Sequence, residues 1–357
     1  MVEKFDIQKL VLVGETSEAS LKRTSDILRD QGVNPKVTIE FISKENGVFS
    51  GIGEVSQLLS RNLPEAFRDD VWSLNDGDIF QKSEVLLRIS STYAIASSFL
   101  TALNGFIASS SGWATGAKKC VDAAEGIPIV NFGASQVHPN VVGVMDYSSI
   151  QGGAKGCSSL IGARLSDLTP VGSMNENLVL ILNDVVDAAE ALVNNLDPEL
   201  PKVVSIGILG DETEEARKVV ENFPSIRGLK IETPDERGGR GGIILREVRE
   251  RLDQLGFSNT QLSISGDFNP DDIREIIEVE KNWQNETLKL NRIEFDEDQP
   301  NPNNRRIVQA IGIDRFIASH KPTKLSPHIK IIDGIPVAKR GQIPGILVSP
   351  RLSKLSF

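Results

Sequence analysis

The sequence predicts an α/β protein: a smaller N-terminal sheet domain of α+β character, followed by a parallel α/β sheet or barrel. Three observations carry this. Strand-like segments separated by turns fill the first part of the chain, the apolar spacing becomes helical from Ser97, and beyond it short apolar strands alternate with amphipathic helices.

Taken in order, KVTIEFI from Lys36 reads as a strand and Gly53 to Leu59 as a short helix. VWSLNDGDIF and SEVLLRIS read as strands around an Asp76-Gly77 turn. Phe99, Leu103, Phe106 and Ile107 then share one helical face, and that helix continues to Ala124 and stops at Gly126. Strands KVVSIGI from Lys202, GLKIE from Gly228, QLSIS from Gln261 and VQAIGI from Val308 each precede a polar loop, which is the repeat of a parallel sheet or barrel. Helix starts are signalled by Asp211 with Glu214 and by Asn269-Pro270, and a helix stop by Gly256. In such a fold the loops after the strands form the active face. The expected domains are 1–96, completed by about 321–357, and 97–320, with a surface insertion near 280–306 where FDEDQPNPNN breaks the periodicity.

Composition narrows the function classes. With 39% apolar and 25% charged residues the chain reads as an ordinary globular protein, and no apolar run approaches the ~18 residues that span a bilayer. The opening MVEKFDIQKLVLVG does not read as a secretory signal, so a cytoplasmic location is expected. Cys120, Cys157 and the histidines His138, His320 and His328 show neither metal-ligand spacing nor a disulfide framework, so no protein-held metal is expected. A net charge of −10 without a basic, aromatic-interleaved run argues against nucleic acid and anionic membrane as partners.

Several segments, in order, resemble the nicotinate phosphoribosyltransferase family in its shorter archaeal-type form. They are GFIASSSGWATGAKKCVDAAEG from Gly105, NFGASQVHPNVVGVMDYSSIQGGAKGCSSLIGARL from Asn131, TPVGSM from Thr169, IETPDERGGR from Ile231, SISGDFNPDDI from Ser263 and DGIPVAKRGQIPG from Asp333. The resemblance runs from about Ser17 to Gly345. It implies an irregular α/β barrel of the type II phosphoribosyltransferase-like fold and a homodimer in which an aromatic residue of the neighbouring subunit covers the ring of nicotinate. It also implies phosphoribosyl transfer from phosphoribosyl pyrophosphate in NAD biosynthesis, with no permanently bound cofactor and with Mg²⁺ arriving with phosphoribosyl pyrophosphate.

Read position by position, the chain departs from the family's motifs. The F-G-x-R-R run appears as Phe132-Gly133-Ala134-Ser135-Gln136, without either arginine. In the Y-F-x-R-T run the tyrosine falls on Ser20, while Arg23 and Thr24 remain. Gly-Thr-Met-Pro-His becomes Gly172-Ser173-Met174-Asn175-Glu176, and an Asp-Thr-Tyr run falls on Gly207-Ile208-Leu209. Ser-Gly-Gly becomes Ser265-Gly266-Asp267, and Gly-x-Gly-Thr becomes Gly312-Ile313-Asp314-Arg315. Asp267 and Asp314 are expected to repel phosphate where the family offers bare N–H groups, with Arg315 free to pair with Asp314.

The resemblance makes His138, Asp146 (placed in a strand) and Glu232 the candidate catalytic residues. Arg23, Thr24, Gly152, Gly153, Lys155, Arg237, Ser265 and Gly266 are its candidate substrate and phosphate ligands. Blander readings stand beside these. QGGAKGCSS is an anion or ribose site with Lys155 as cation, or a tight glycine turn; Arg237 and Arg240 bind phosphate, or pair with Asp235 and Glu236 in solvent. His138 is an acid or base, or a hydrogen-bonded structural residue. Cys157 reads as a buried small apolar group. The expectation is a nicotinate phosphoribosyltransferase-like protein of altered or weakened activity; the alternative is a catalytically inactive dimeric scaffold.

Overall fold

The computed structural model describes residues 4–172, 174–232, 241–290 and 305–357. Its first sheet is wholly antiparallel, in the order Ile335–Pro336, Leu325–Ile332, Lys36–Ser43, Val85–Thr92, Val71–Ser73, Ser353–Lys354. Lys36–Ser43 lies between two long neighbours, with Val37 opposite Ile332 and Ile39 opposite Ile89. One face buries Val37, Ile39 and Phe41 together with Leu87 and Ile89. The other face is buried too, and there polar groups pair. Thr38 and Ser90 hydroxyls meet at 2.8 Å, and the fully buried Glu40 holds Arg88 at 2.7 Å and the Leu347 N–H at 3.2 Å. A buried carboxylate is tolerated only when its oxygens are taken up in this way.

The helix Tyr93–Ala123 joins the sheet to the rest of the molecule and belongs to both cores. At 31 residues it is roughly 46 Å long. Ala96, Leu103 and Ile107 pack with the antiparallel sheet, whereas Ala117, Cys120 and Ala123 pack with the second core. Its small residues let backbone come close: a Cβ on Gly112 would lie 2.5 Å from the Lys321 carbonyl oxygen. The helix begins at Tyr93, four residues before the apolar spacing announces it, and stops where Glu125 and Gly126 take positive φ, +44° and +90°.

The second sheet is parallel, in the order Gly156–Cys157, Ile129–Asn131, Ala310–Ile313, Gln261–Gly266, Gly228–Ile231, Val203–Ile206. Four of these strands follow the sequence reading; Ile129–Asn131 and Gly156–Cys157 are too short to show a period. The two edge strands do not pair with each other. The Val171 N–H donates to the Cys157 carbonyl on one edge (2.8 Å), and Ser205 Oγ on the other edge donates to the Met174 carbonyl (3.1 Å). The arrangement is thus irregular, as expected, with non-strand chain bonded to each edge. Helices Val185–Asn195, Glu212–Asn222, Gly241–Gln254 and Pro270–Leu290 pack around it.

Two sequence readings need correction. Asp146 lies in the helix Val142–Gln151, not in a strand. Residues 280–290, assigned to an insertion, continue the Pro270–Leu290 helix. Ile276, Ile277 and Trp283 are buried, and Glu280 accepts the N–H groups of Ile307 and Val308 at 2.8 and 3.2 Å. The apolar spacing was helical there, but the Pro/Asn-rich stretch beyond masked it; residues 291–304 lie outside the described part. The two helix starts also differ in kind. Asn269 forms a reciprocal cap with Asp272 (2.8 and 3.3 Å), whereas Glu214 turns from Asp211 to hold Arg217 at 2.6 Å.

Candidate functional site

All strands of the parallel sheet run the same way, so their C-terminal ends share one rim, and the charged residues of this core gather there. Lys230, inside Gly228–Ile231, and Glu232, one residue past it, are two apart and therefore on one face of the strand. They form an ion pair with 19% and 17% of each side chain exposed. Lys230 Nζ also lies 5.4 Å from the centre of the Phe132 ring. That ring is pressed against Gly312, where a Cβ would come within 2.5 Å of it, and the Phe132 N–H is held by the Ile313 carbonyl at 2.9 Å. The glycine is needed for this close approach.

Asp314 follows the strand Ala310–Ile313, and its N–H donates to the Gly266 carbonyl at 3.1 Å. Burial raises its carboxyl to about 6; Glu232 and Asp267 add to the rise, and Lys230 and Arg315 oppose it. Arg315 pairs with Asp267 at 3.2 Å, not with Asp314, in an exposed contact. Glu232 Oε2 is buried without a hydrogen-bond partner among the described residues. The rim therefore offers a half-buried cation, Lys230, flanked by two carboxyl groups with accepting capacity to spare. Such a group can accept hydroxyls of a polyol and stabilise positive charge developing on it. Among the described residues no three His, Cys, Asp or Glu side chains converge to hold a metal.

On the edge strand, the loop after Val203–Ile206 is closed on itself. The N–H groups of Gly207, Ile208, Leu209 and Gly210 donate to the Glu215 carboxylate at 2.8, 3.3, 3.1 and 2.8 Å.

The remaining candidates are not part of the Lys230–Glu232 pair. Asp146 is fully buried and structural in its contacts. Its Oδ1 accepts from Asn131 Nδ2 at 2.8 Å, and its Oδ2 takes the Ser159 hydroxyl and N–H, tying the end of Ile129–Asn131 to the cap of the helix Leu160–Leu165. Burial pushes its carboxyl up, against these hydrogen bonds. His138 is exposed, and its Nδ1 accepts the Asn140 N–H at 3.2 Å, capping a short turn. Arg23 and Thr24 sit exposed on the helix Ala19–Asp30, where Thr24 Oγ1 donates back to the Ser20 carbonyl at 2.8 Å. Neither is joined to the Lys230 group by any contact. Burial drives the Cys157 thiol up to about 12, which removes it as a nucleophile.

The first half of QGGAKGCSS, Gln151 to Lys155, is at the opposite rim. It precedes the strand Gly156–Cys157 within the same run, and the Lys155 N–H pairs with the carbonyl of Ile129, the first residue of the neighbouring strand. Gly152 packs on the long helix, a Cβ there falling 2.2 Å from the Ala114 carbonyl oxygen, and Gly153 has φ +103°. The glycine-turn reading fits Gly152 and Gly153; Lys155 is simply exposed. Ser265 and Gly266 do reach the active rim, as the last residues of their strand. Arg237 and Arg240 lie outside the described residues.

Comparison with known proteins agrees with this architecture. The family model for the quinolinate phosphoribosyl transferase N-terminal domain matches residues 21–127. A crystal structure of nicotinate-nucleotide pyrophosphorylase from Pyrococcus furiosus superposes with a TM-score of 0.82 at 27% identity, covering 96% of this chain and 81% of that one. These likenesses place the chain beside the nicotinate and quinolinate phosphoribosyltransferases. The nicotinate phosphoribosyltransferase pncB2 of Mycobacterium tuberculosis is 26% identical over 219 residues, 60% of this chain and 46% of that protein. The chain thus spans about half the length of this curated relative. Human nicotinic acid phosphoribosyltransferase, at 11% identity and a TM-score of 0.63, shares the fold.

Lys230 and Phe132 escaped the sequence reading as members of the site. The signal available was Lys230-x-Glu232 at the end of an otherwise apolar strand, two charges that period two puts on one face.

Proposed function

We propose that the protein is a nicotinate phosphoribosyltransferase-like enzyme of NAD biosynthesis, working more slowly than an ordinary enzyme, and that its strand-end rim holds the ribosyl group of phosphoribosyl pyrophosphate. The observation that carries this is the half-buried Glu232 carboxylate beside Lys230 and Asp314, whose buried Oε2 has no hydrogen-bond partner among the described residues. A buried acceptor without a partner is costly, and a ribose hydroxyl would satisfy it. As the bond to pyrophosphate lengthens, positive charge grows on the ribosyl ring, and Glu232 stands where it opposes that charge.

The leaving pyrophosphate is served less well. Ser135 and Gln136 stand where the resemblance expects arginines, and Arg315 is already engaged by Asp267. Loss of one such preorganised contact commonly costs about 10²-fold in rate. In this reading Mg²⁺ arrives with the pyrophosphate whose charge it neutralises. We infer a homodimer as well, supported by Leu180, Ile181 and Leu182, consecutive and 50%, 78% and 41% exposed. Among the described residues no helix is long and apolar enough to cross a membrane.

The test is calorimetric titration with phosphoribosyl pyrophosphate and Mg²⁺, followed by product assay with nicotinate. Saturable binding that weakens in Glu232→Gln, with turnover well below an ordinary ~10 per second, supports the reading. Turnover at that ordinary rate overturns the claim of weakness. Absence of binding leaves the alternative, a dimeric scaffold without catalysis, which the self-paired Asp267 and Arg315 favour.

A further inference from the structure

The contact between Glu215 and the strand-end loop is unusual in its completeness. Four successive backbone N–H groups, from Gly207 to Gly210, converge on one carboxylate, two on each oxygen, and Glu215 is only 4% exposed. Gly207 has φ +83°, the left-handed conformation that turns successive N–H groups inward. The helix Glu212–Asn222 begins immediately afterwards, with Asp211 Oδ1 accepting the N–H groups of Thr213 and Glu214 at 2.9 and 3.2 Å. A concave run of N–H groups leading into a helix N-terminus is the arrangement by which backbones hold phosphate and other oxyanions. Here the oxyanion is part of the chain.

We propose that the Gly207–Gly210 loop is an oxyanion-binding nest kept occupied by Glu215, so that Glu215 determines that no ligand phosphate binds at this strand end. The loop lies on the same rim as Lys230 and Glu232, so Glu215 limits where a phosphorylated ligand places its anionic groups. A phosphate arriving here would have to displace a carboxylate tethered five residues from Gly210, whose effective concentration is far above that of a free ligand. This deepens the phosphoribosyl reading of the rim, but it is tested by anion binding alone, so the two fail separately.

The experiment compares the full chain with Glu215→Ala and Glu215→Gln, by thermal melting in inorganic phosphate and in chloride of equal ionic strength. Hydrogen exchange of the peptide carrying Gly207 to Gly210 is followed in parallel. Glu215→Ala is expected to melt on the order of 5 °C lower, because buried donors lose their acceptor. Tens of millimolar phosphate should recover more than about half of that loss and restore protection of the loop, while chloride and the parent protein show no such gain. Glu215→Gln turns its amide N–H₂ towards two of the donors and should respond in the same direction, more weakly, which keeps the test alive if the alanine variant does not fold. A phosphate response no larger than the parent's in both variants would reduce Glu215 to a structural tie and overturn the proposal. So would phosphate protection of this peptide in the parent.

Discussion

The two rims of the parallel sheet are made by the same strands and differ in what fills them. At the N-terminal rim, glycines serve packing: Gly152 admits the Ala114 carbonyl, and Gly228 admits that of Gln261, which a Cβ would approach to 2.7 Å. At the C-terminal rim, Lys230, Glu232, Asp267, Asp314 and Arg315 meet, and a loop carries its own anion. Strand direction, not glycine content, separates them. Helices that follow parallel strands begin at the C-terminal rim, so N–H groups and helix dipoles point into it.

The largest effect expected from this contrast is structural and at the inert rim. Gly152→Ala forces a methyl group into the Ala114 backbone and should cost about 2 kcal/mol in urea unfolding. A change under ~0.5 kcal/mol, the range of ordinary surface substitutions, would mean that the approach is looser than drawn. Next, Glu232→Gln should weaken binding of phosphoribosyl pyrophosphate by about tenfold, or ~1.4 kcal/mol, with little change in melting temperature. Equal affinity in the two proteins would detach Glu232 from the ligand and leave the charged rim without its reason.

Asp314 sharpens the comparison through pH. Its carboxyl is raised in the folded protein from 3.8 to about 6, so the folded state holds that proton more tightly than the unfolded chain does. Its ionisation therefore opposes folding above pH 6, and this cost is relieved as pH falls from 6 towards 4. Asp314→Asn should stabilise the protein at pH 7 by about 1 kcal/mol, after allowance for solvent screening. That gain should shrink as pH falls below the raised value of about 6 and vanish only below the unfolded value of 3.8. A gain independent of pH would place the cause elsewhere than ionisation. The smallest effect is reserved for Arg315→Ala, whose exposed pair with Asp267 should contribute less than ~0.5 kcal/mol, and for Lys155→Ala, which should leave both stability and ligand affinity unchanged. A tenfold loss of affinity in Lys155→Ala would erase the distinction between the rims.

Much of the architecture was legible in the sequence because it is written in period. KVTIEFI and SEVLLRIS alternate as strands do, and the later βα units carry apolar runs followed by polar loops; VWSLNDGDIF instead divides into Val71–Ser73 and Ile79–Phe80, which pair in different sheets. Two- and three-residue strands such as Gly156–Cys157 and Ile129–Asn131 are too short for any period to show, and with them went the placement of Asp146. The site was half legible. Glu232, Ser265 and Gly266 stand at strand ends that the pattern exposes, and Asp267 and Asp314 were marked as charged departures there. The Gly152–Lys155 loop misled because glycine near lysine is consistent with either phosphate or packing, and only the register between neighbouring strands decides which rim it occupies. Glu215 carries no local signal at all. A glutamate in the first turn of a helix is ordinary until the preceding loop is seen to fold back on it.

The strand Lys36–Ser43 has one neighbour close behind it, Val85–Thr92, and one near the other end of the chain, Leu325–Ile332. At a translation rate of about 5–20 residues per second, the second neighbour emerges on the order of tens of seconds after the first pairing is possible. Throughout that interval the edge of Lys36–Ser43 presents unpaired backbone with Ile39 and Phe41 beside it, the kind of edge that recruits other nascent chains. The sheet that synthesis begins first is completed last, so crowded polysomes should be the place where this protein is most prone to misassemble.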